Sequence, residues 1–293
     1  MKRCLNCRRP FASAGWCCPD CHAAPTTING FLAFAPFLSD GSDAFVPESH
    51  EALDRLQDGS FWFRARNRLI IDLVRRFATD AHAVLEIGCG TGYVLSALHE
   101  ALPQARLFGS EADVNALSLA RNRIGDGVVL FQMDGRAIPF AEEFDLICAF
   151  DVLEHIREDE IALAEIYRAL KPGGATLLAV PQHPFLWSWY DEYGKHQRRY
   201  RRCELAEKCR RAALTVEFET SFVTSLLPLM AVSRFLSRFG TTRRPAAELL
   251  LPRWLDRLCE ILLEGERTAI TAGLRFPVGG SRFVVARKCA EVG

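Results

Sequence analysis

The chain of 293 residues carries no net charge and contains no long apolar run. Lysine and arginine number 36 together, as do aspartate and glutamate, so the chain as a whole has no electrostatic attraction for nucleic acid. No stretch approaches the ~20 uninterrupted apolar residues that a membrane-spanning helix needs. The Met-Lys-Arg-Cys start lacks the apolar segment of a secretory signal. We therefore expect a cytoplasmic protein with no transmembrane segment.

Cysteine is crowded at one end, because five of the eleven lie within the first 21 residues. In a reducing compartment such crowding favours a metal site over disulfides. Cys4 and Cys7 form one Cys-x-x-Cys pair, and Cys18 and Cys21 form a second. Two such pairs can complete a tetrahedral, structural zinc site, and a segment this small depends on metal to fold. A disulfide or free-thiol cluster is the alternative, and Cys17 could replace Cys18 as a ligand.

Short apolar runs alternate with amphipathic segments from residue 83 onward. The candidate strands are 83–87, 106–110, 128–132, 144–150, 175–181, 215–221 and 282–287. The candidate helices between them are 92–101, 114–124, 158–170 and 203–213, and residues 51–77 also have helical spacing. This alternation predicts an α/β fold with a parallel sheet covered by helices on both faces.

Five segments describe the expected organisation. They are a zinc-ribbon-like knuckle at 1–30, a connector with N-terminal helices at 31–78, a ligand-binding core at 79–222, a helical insertion at 223–280 and a final core strand at 281–293. The insertion is expected to cap the substrate region.

A glycine-rich turn, read Val84 to Tyr93 as VLEIGCGTGY, follows the first core strand. In a doubly wound sheet such a turn lies at the ligand crevice, where glycine lets the backbone approach the ligand closely. A dinucleotide fingerprint needs glycine where Tyr93 stands, and a phosphate loop needs a lysine that is absent. Glu86, before the turn, repels a pyrophosphate but suits a ligand with an ammonium group.

Further polar residues follow the next strands in order. Glu111 ends the second strand, where a carboxylate can bind both ribose hydroxyls. Asp134-Gly135 follows the third strand, and Asp151 ends the fourth. Each of these alone could be a helix cap, so their joint order and spacing make the case.

Residues 83–181 resemble class I S-adenosylmethionine-dependent methyltransferases, whose glycine motif is E-x-G-x-G-x-G. The resemblance implies a Rossmann-like sheet of seven strands with the last one antiparallel. It implies that the methionine end of the cofactor lies over 88–92, that Glu111 binds the ribose and that Asp134 binds the adenine amino group. The cofactor-binding residues implied are Glu86, Gly88, Cys89, Gly90, Gly92, Glu111, Asp134, Gly135 and Asp151.

A second resemblance covers Pro181 to Tyr200. This stretch is similar to a bacterial subgroup, near the type 11, 12 and 23 methyltransferase domains, with an L-W-S-x-x-D…G-H-x-R-R-Y signature. His196 to Tyr200 reproduces H-x-R-R-Y, whereas Lys195 separates Gly194 from His196 and departs from the pattern. The subgroup implies the reaction type and leaves the acceptor open.

Methyl transfer to oxygen needs alignment and a base near neutrality, for which histidine is suited. The candidate catalytic residues are His196, His183 and Asp191, each of which also has a structural interpretation. His155, in D-V-L-E-H, is expected to support its loop. We expect O-methylation of a small-molecule, glycan or lipid-linked acceptor.

Two other functions stay open. An RNA methyltransferase could hold RNA with the knuckle and its basic residues Lys2, Arg3, Arg8 and Arg9, but zero net charge and the absence of an Asn-Pro-Pro-Tyr motif disfavour it. The second open function is that of a non-catalytic cofactor-binding scaffold.

The basic residues are unevenly distributed, with twelve lysines and arginines against four glutamates between Lys195 and Arg244. The apolar stretch 222–239 lies in this segment and could pack in the core. The alternative hypothesis is a peripheral membrane-surface contact, in which the clusters 198–202 and 234–244 face anionic headgroups.

Overall fold

The computed structural model describes residues 1–39, 50, 54, 56–237 and 251–290. Its strands are β1 (Lys2–Arg3), β2 (Pro10–Phe11), β3 (Thr26–Ile28), β4 (Phe31–Ala33), β5 (Ala83–Ile87), β6 (Arg106–Glu111), β7 (Val129–Gln132), β8 (Phe144–Phe150), β9 (Leu170–Pro181), β10 (Leu214–Phe222) and β11 (Ser281–Lys288). Its α-helices are α1 (Phe61–Phe77), α2 (Tyr93–Ala101), α3 (Val114–Ile124), α4 (Asp159–Ala169), α5 (Trp189–Tyr193), α6 (Glu204–Arg211), α7 (Leu227–Ser237) and α8 (Arg253–Thr271).

Nine strands of the described part of the chain form the main sheet, in the order β10-β11-β9-β8-β5-β6-β7-β4-β3. Strands β5 to β9 pair in parallel, and β11 runs antiparallel to both β9 and β10. The expected Rossmann-like α/β fold with an antiparallel last strand is therefore confirmed. Strands β6 and β7 lie on one side of β5, and strand β8, which follows them in sequence, lies on the other side. The strand order therefore reverses at β5. Ligand crevices form at such a reversal, outside the carboxyl ends of the strands.

Alternate residues of the central strands enter two separate cores, because strand side chains point to opposite faces in turn. Val84, Leu107 and Leu146 pack on one face with helices α1, α2, α3 and α8. Leu85 and Ile147 pack on the other face with α4 and α6. Both faces are buried, which explains why these strands read as nearly continuous apolar runs.

The sheet has two more strands than the seven expected. The hairpin of β3 and β4 extends it, because β4 pairs in parallel with β7 through Leu32–Phe131 and Ala33–Gln132. The segment expected to be a connector from residue 31 thus contributes the strand next to the edge, and the edge strand β3 comes from the segment before it. Residues 51–53 and 55 of the expected helical stretch lie outside the described part of the chain.

The N-terminal hairpin of β1 and β2 is docked on the same end of the domain. The amide of Arg3 donates to the Pro139 carbonyl at 2.9 Å, and its guanidinium donates to Glu165 at 3.1 Å. The Trp16 ring packs edge-on against Phe34 and Phe140, with centroids 4.6 and 5.4 Å away. The knuckle is therefore packed on the core as well as linked to it.

Within the described residues, no helix has the length and apolar character needed to cross a membrane.

Candidate functional site

The glycine turn after β5 places its backbone in the left-handed region at Gly88 and Gly90, with φ of 67° and 51°. A Cβ atom added at Gly88 would lie 2.3 Å from Cγ2 of Val152, so no larger residue fits there. A Cβ atom added at Gly90 would meet no atom within 4 Å. Gly88 is therefore needed for packing between β5 and the loop after β8, whereas Gly90 borders open space at the crevice.

Two carboxyl groups flank this turn, of which Glu86 is buried and Glu111 is partly buried. Burial raises the pKa of Glu86 well above its usual range, and Oε2 of Glu86 has no hydrogen-bond partner in the described structure. Glu111, at the end of β6, accepts hydrogen bonds from the amides of Gly90 at 3.0 Å and Ala112 at 2.7 Å. Burial also raises the pKa of Glu111. A cationic ligand group would favour the ionised form of both carboxyls.

Asp134 does not stand open to the crevice. Its carboxylate accepts hydrogen bonds from the backbone amide and guanidinium of Arg136, at 2.8 to 3.1 Å. Arg136 also contacts Glu158 at 2.7 Å. The resemblance implies that Asp134 contacts an adenine amino group. In that case the Asp134 carboxylate must accept hydrogen bonds from both Arg136 and the amino group. Gly135 follows, where a Cβ atom would touch Ile156 and Ile87 at 3.4 Å.

Helix α1 adds a cation that the sequence did not assign to the site. Nη2 of Arg66 donates to Oδ2 of Asp151 at 2.5 Å, and the guanidinium lies 4.9 Å from the centroid of the Trp62 ring. Asp151 itself has a φ of 55°. Electrostatic attraction from Arg66 also opposes the rise in the pKa of Glu86 and of Glu154, although burial is the largest influence on both. Arg66 therefore links the glycine turn to the loop after β8.

The segment before α1 reaches the outer side of the same turn. Oγ1 of Thr91 donates to the Gln57 amide oxygen at 2.7 Å, and both side chains are buried. Nε2 of His50 lies 3.2 Å from Oδ2 of Asp113. These contacts hold the segment before α1 against the glycine turn and the loop after β6. They were not predicted, because neither Gln57 nor His50 belongs to a recognisable motif. Cys89 is buried within the turn, and burial raises its pKa well above the usual range.

The three candidate catalytic residues lie on the loop that follows β9. Asp191 is fully buried, and Nε of Arg199 donates to it at 2.6 Å. Burial is the largest influence on the pKa of Asp191 and raises it. Hydrogen bonds from His196 and Arg199 together outweigh burial and lower this pKa to about 2. Nδ1 of His196 lies 3.0 Å from Oδ1 of Asp191. The geometry therefore favours a positioning role for Asp191 over that of a base.

His183 occupies a different part of this loop, directly after β9, with a φ of 65°. Its Nε2 is buried without a hydrogen-bond partner among the described residues. Burial, followed by the positive charges of Arg199 and Arg282, lowers the pKa of His183. His155 lies close to His196, with ring centroids 4.7 Å apart, and burial lowers its pKa to about 4. Two histidines with low pKa values thus flank the carboxyl ends of β8 and β9.

The H-x-R-R-Y stretch is built around two buried carboxylates. His196 and Arg199 bind Asp191, whereas Arg198 contacts Asp159 at 3.1 Å. The Tyr200 hydroxyl donates to Oδ2 of Asp159 at 2.6 Å, as does Nζ of Lys208 at 2.5 Å. This network joins the loop after β9 to α4, so the motif holds the site in place rather than presenting its charges to solvent.

Tyr200→Phe tests this network. Loss of the hydroxyl leaves buried Asp159 with one donor fewer, so the free energy of unfolding should fall by about 1–3 kcal/mol. Urea denaturation measures the change, and affinity for the cofactor that the resemblance implies should stay within about twofold. Tyr167→Phe is the matched control, since it removes a hydroxyl from a partly buried ring outside this network. Equal stabilities of the two variants would contradict the structural role of the motif.

The four cysteines of the N-terminal pairs converge, and their sulfur atoms all lie within 4.8 Å of one another. Sγ of Cys4 lies 3.5 Å from that of Cys21, and Sγ of Cys7 lies 3.7 Å from that of Cys18. Both pairs use the same turn, because the amides of Arg8 and His22 donate to the carbonyls of Cys4 and Cys18, each at 2.9 Å. Cys17 is exposed and its sulfur points to backbone carbonyl groups instead.

A cleft of about 660 Å³ opens beside the loop after β9, lined by Pro184, Arg199, Arg201, Arg202, Cys203, Glu204 and Glu207. Arg201 and Arg202 are exposed there, whereas Arg199 is directed inward to Asp191. Only part of the 198–202 cluster is therefore available to an external anion. Residues Arg238, Arg243 and Arg244 lie outside the described residues.

Fold and site together define an α/β protein with a glycine turn between acidic strand ends. Residues 84–174 match the methyltransferase domain family. The chain is 34% identical over 128 residues to trans-aconitate 2-methyltransferase of Azoarcus sp. strain BH72, covering 43% of this chain and 48% of the relative. It is 33% identical over 96 residues to a ubiquinone/menaquinone biosynthesis C-methyltransferase of Desulfotalea psychrophila, covering 32% and 39%. The chain thus spans less than half the length of these relatives.

Solved structures agree on the fold. One is a chain of the complex between the Haloferax volcanii Trm112 methyltransferase activator and the putative methyltransferase, with a TM-score of 0.56 at 20% identity, covering 84% of this chain and 97% of that one. Another is phosphoethanolamine N-methyltransferase 2 of Haemonchus contortus in complex with S-adenosyl-L-methionine, with a TM-score of 0.52 at 19% identity, covering 76% and 52%. The sheet of this chain therefore has the fold of these solved structures, and its residues 84–174 match the methyltransferase domain family.

Proposed function

We propose that the chain transfers a methyl group from S-adenosylmethionine to an oxygen atom of a small-molecule, glycan or lipid-linked acceptor. The observation that carries the proposal is the juxtaposition of an acidic glycine turn with histidines of low pKa at the ends of β8 and β9. Glu86 and Asp151 would bind the cofactor's ammonium group, and Glu111 would bind its ribose. The cofactor supplies an activated methyl group, so the protein mainly aligns the acceptor.

His183 is the favoured base for an oxygen acceptor. A hydroxyl must lose its proton as the methyl group arrives, and an imidazole that is neutral near pH 7 can accept it. Burial lowers the pKa of His183, so the ring is available in this form. Its unpartnered Nε2 is the atom that would take the proton.

The experiment is labelled methyl transfer from the cofactor into fractionated lipid, small-molecule and RNA pools. We expect label in the first or second pool, and His183→Asn should reduce the rate at least tenfold without changing cofactor affinity. His82→Asn is the matched control, because His82 is an exposed histidine that precedes β5 at the opposite end of the strand. Label in RNA alone would refute the proposed acceptor class, and cofactor binding without turnover of any pool would leave a non-catalytic scaffold.

Contacts of the N-terminal basic residues weigh against an RNA acceptor. Nζ of Lys2 donates to the carbonyls of Ser13, Ala14 and Gly15, and Arg3 pairs with Glu165. Arg9 contacts Asp20 at 3.4 Å, so three of the four basic residues near the knuckle are engaged within the protein, which reduces the surface left for phosphate groups.

A lipid-linked acceptor is supported by apolar side chains on the helical insertion. On α8, Trp254, Leu258, Ile261 and Leu262 are all exposed, and their spacing places them along one side of the helix. Exposed apolar patches commonly mark interaction sites. The lipid pool of the labelling experiment tests this choice directly.

The cysteine cluster is proposed to bind structural Zn²⁺. Four sulfurs around zinc at the usual bond length of about 2.3 Å stand about 3.8 Å apart. The separations of 3.5 and 3.7 Å fit that geometry. Four thiolates leave no open position for a substrate, so this ion would stabilise the knuckle rather than take part in methyl transfer.

A further inference from the structure

A second cluster of metal-ligating side chains lies in the methyltransferase domain, away from the cysteines. Glu154, His155 and His196 each offer one ligand atom, and these atoms lie within 4.8 Å of one another. Glu154 and His155 lie on the 3₁₀ turn after β8, and His196 lies after α5. Two separate loops thus converge on one point at the carboxyl ends of the strands.

Glu154 is buried in a way that needs an explanation. The residue is 0% exposed, and neither carboxylate oxygen has a hydrogen-bond partner among the described residues. Burying a carboxyl group without a partner is costly, so native proteins normally satisfy such a group. The two imidazoles beside it do not supply a hydrogen bond. A cation held between the three side chains would give this carboxylate a partner.

The surroundings of His196 fit a metal ligand. Its Nδ1 is hydrogen-bonded to Asp191, which leaves Nε2 as the ligand nitrogen. Asp191 is fixed in turn by Nε of Arg199 at 2.6 Å and by the amide of Ser188 at 2.9 Å. Histidines that bind metals usually donate their other ring nitrogen to a carboxylate, which orients the ring.

We propose that Glu154, His155 and His196 bind a divalent transition-metal cation beside the methyl acceptor. Two imidazoles and one carboxylate form a donor set used for zinc and non-haem iron at open, catalytic sites. Three protein ligands leave coordination positions for an oxygen atom of the acceptor. The cation's role toward the acceptor rests on the proposed methyl transfer, whereas its binding does not.

The role follows from the charge of the ion. A cation beside a hydroxyl lowers the pKa of that hydroxyl, so its proton passes more readily to His183. The acceptor oxygen then forms a bond to the methyl carbon as the carbon–sulfur bond breaks, which leaves S-adenosylhomocysteine. No oxidant or reductant is needed.

The test is a Mn²⁺ titration of the full chain, followed by the decrease of the free-ion electron paramagnetic resonance signal. Mn²⁺ prefers oxygen and nitrogen ligands to thiolates, so the cysteine site does not compete. We expect one Mn²⁺ per chain, with Glu154→Gln weakening the affinity more than a hundredfold. Asp191→Asn should weaken it tenfold to a hundredfold, as loss of such a supporting carboxylate usually does. Glu192→Gln, which removes an exposed carboxylate of the same segment, should leave the affinity unchanged.

Calorimetry with S-adenosylhomocysteine on each variant keeps the two proposals distinguishable. Cofactor binding without Mn²⁺ uptake by the unaltered chain, or equal uptake by Glu154→Gln, overturns the metal site and leaves methyl transfer standing. Mn²⁺ uptake without cofactor binding overturns the proposed methyl transfer and leaves the metal site standing. If Asp191→Asn fails to fold, Glu154→Gln decides alone, because replacing an unpartnered buried carboxylate by an amide does not remove a contact of the fold.

Discussion

Replacing Cys18 by serine should abolish binding of the proposed zinc ion and lower the free energy of unfolding of the whole chain by at least about 3 kcal/mol. Structural zinc contributes roughly 10–16 kcal/mol to the folding of isolated knuckles, so losing one of four thiolates removes much of that energy. Cys18 is fully buried, and its sulfur lies 3.7 Å from that of Cys7. Zinc content by mass spectrometry and the melting temperature measure the effect.

Cys17→Ser is the matched control for this change. Cys17 neighbours Cys18 in sequence but is exposed, and its sulfur approaches two backbone carbonyls, at 3.7 and 4.0 Å. This variant should keep one zinc per chain and its stability. Equal zinc content in both variants, or zinc loss only in Cys17→Ser, would show that the ligand set is wrong.

The effect should extend beyond the knuckle because the knuckle packs on the sheet. Trp16 lies between the cysteine pairs in sequence and contacts both Phe34, next to β4, and Phe140, a buried residue of the core. Strand β4 in turn covers the edge of β7. An unfolded knuckle would therefore weaken the cover over a strand edge, and uncovered edges favour aggregation. Light scattering on heating should rise earlier for Cys18→Ser than for Cys17→Ser.

The core of the sheet could be predicted because its signal is local. Strands β5 and β8 begin and end at the residues expected from their apolar runs, and α3 does so from its spacing. Each run is bounded by a turn or a polar residue, and burial on both faces keeps it continuously apolar. Strands β3 and β4 were missed because three residues are too few to show a period of two. Their pairing with β7 depends on tertiary contacts.

The residues of the candidate site likewise fall into those that the sequence could locate and those that it could not. Glu86, Glu111 and Asp151 lie directly at strand ends, so their motif positions locate them at the crevice. Arg66 carries no such signal, because its partner Asp151 is 85 residues away. A charged residue on the otherwise apolar side of α1 was the available clue. The placement of Glu154 between two histidines likewise depends on how the loop after α5 folds back, which the sequence does not reveal.

Gly90→Ala should weaken S-adenosylmethionine binding at least tenfold while the fold survives. The added methyl group meets no protein atom within 4 Å, so any loss of affinity comes from the space above the turn. A φ of 51° at this position strains alanine by about 1–2 kcal/mol, which lowers stability modestly. Calorimetry with the cofactor and thermal unfolding separate the two effects.

Gly173→Ala separates backbone strain from ligand contact. Gly173 has a φ of 78° and an equally open Cβ position, but it lies at the start of β9, at the opposite end of the sheet. It should lose similar stability and keep its cofactor affinity. Gly88→Ala should instead lose several kcal/mol of stability, because its methyl group would lie 2.3 Å from Val152. Equal cofactor affinities in Gly90→Ala and Gly173→Ala would mean that the cofactor does not lie over this turn, since the two changes differ mainly in what faces the added methyl group.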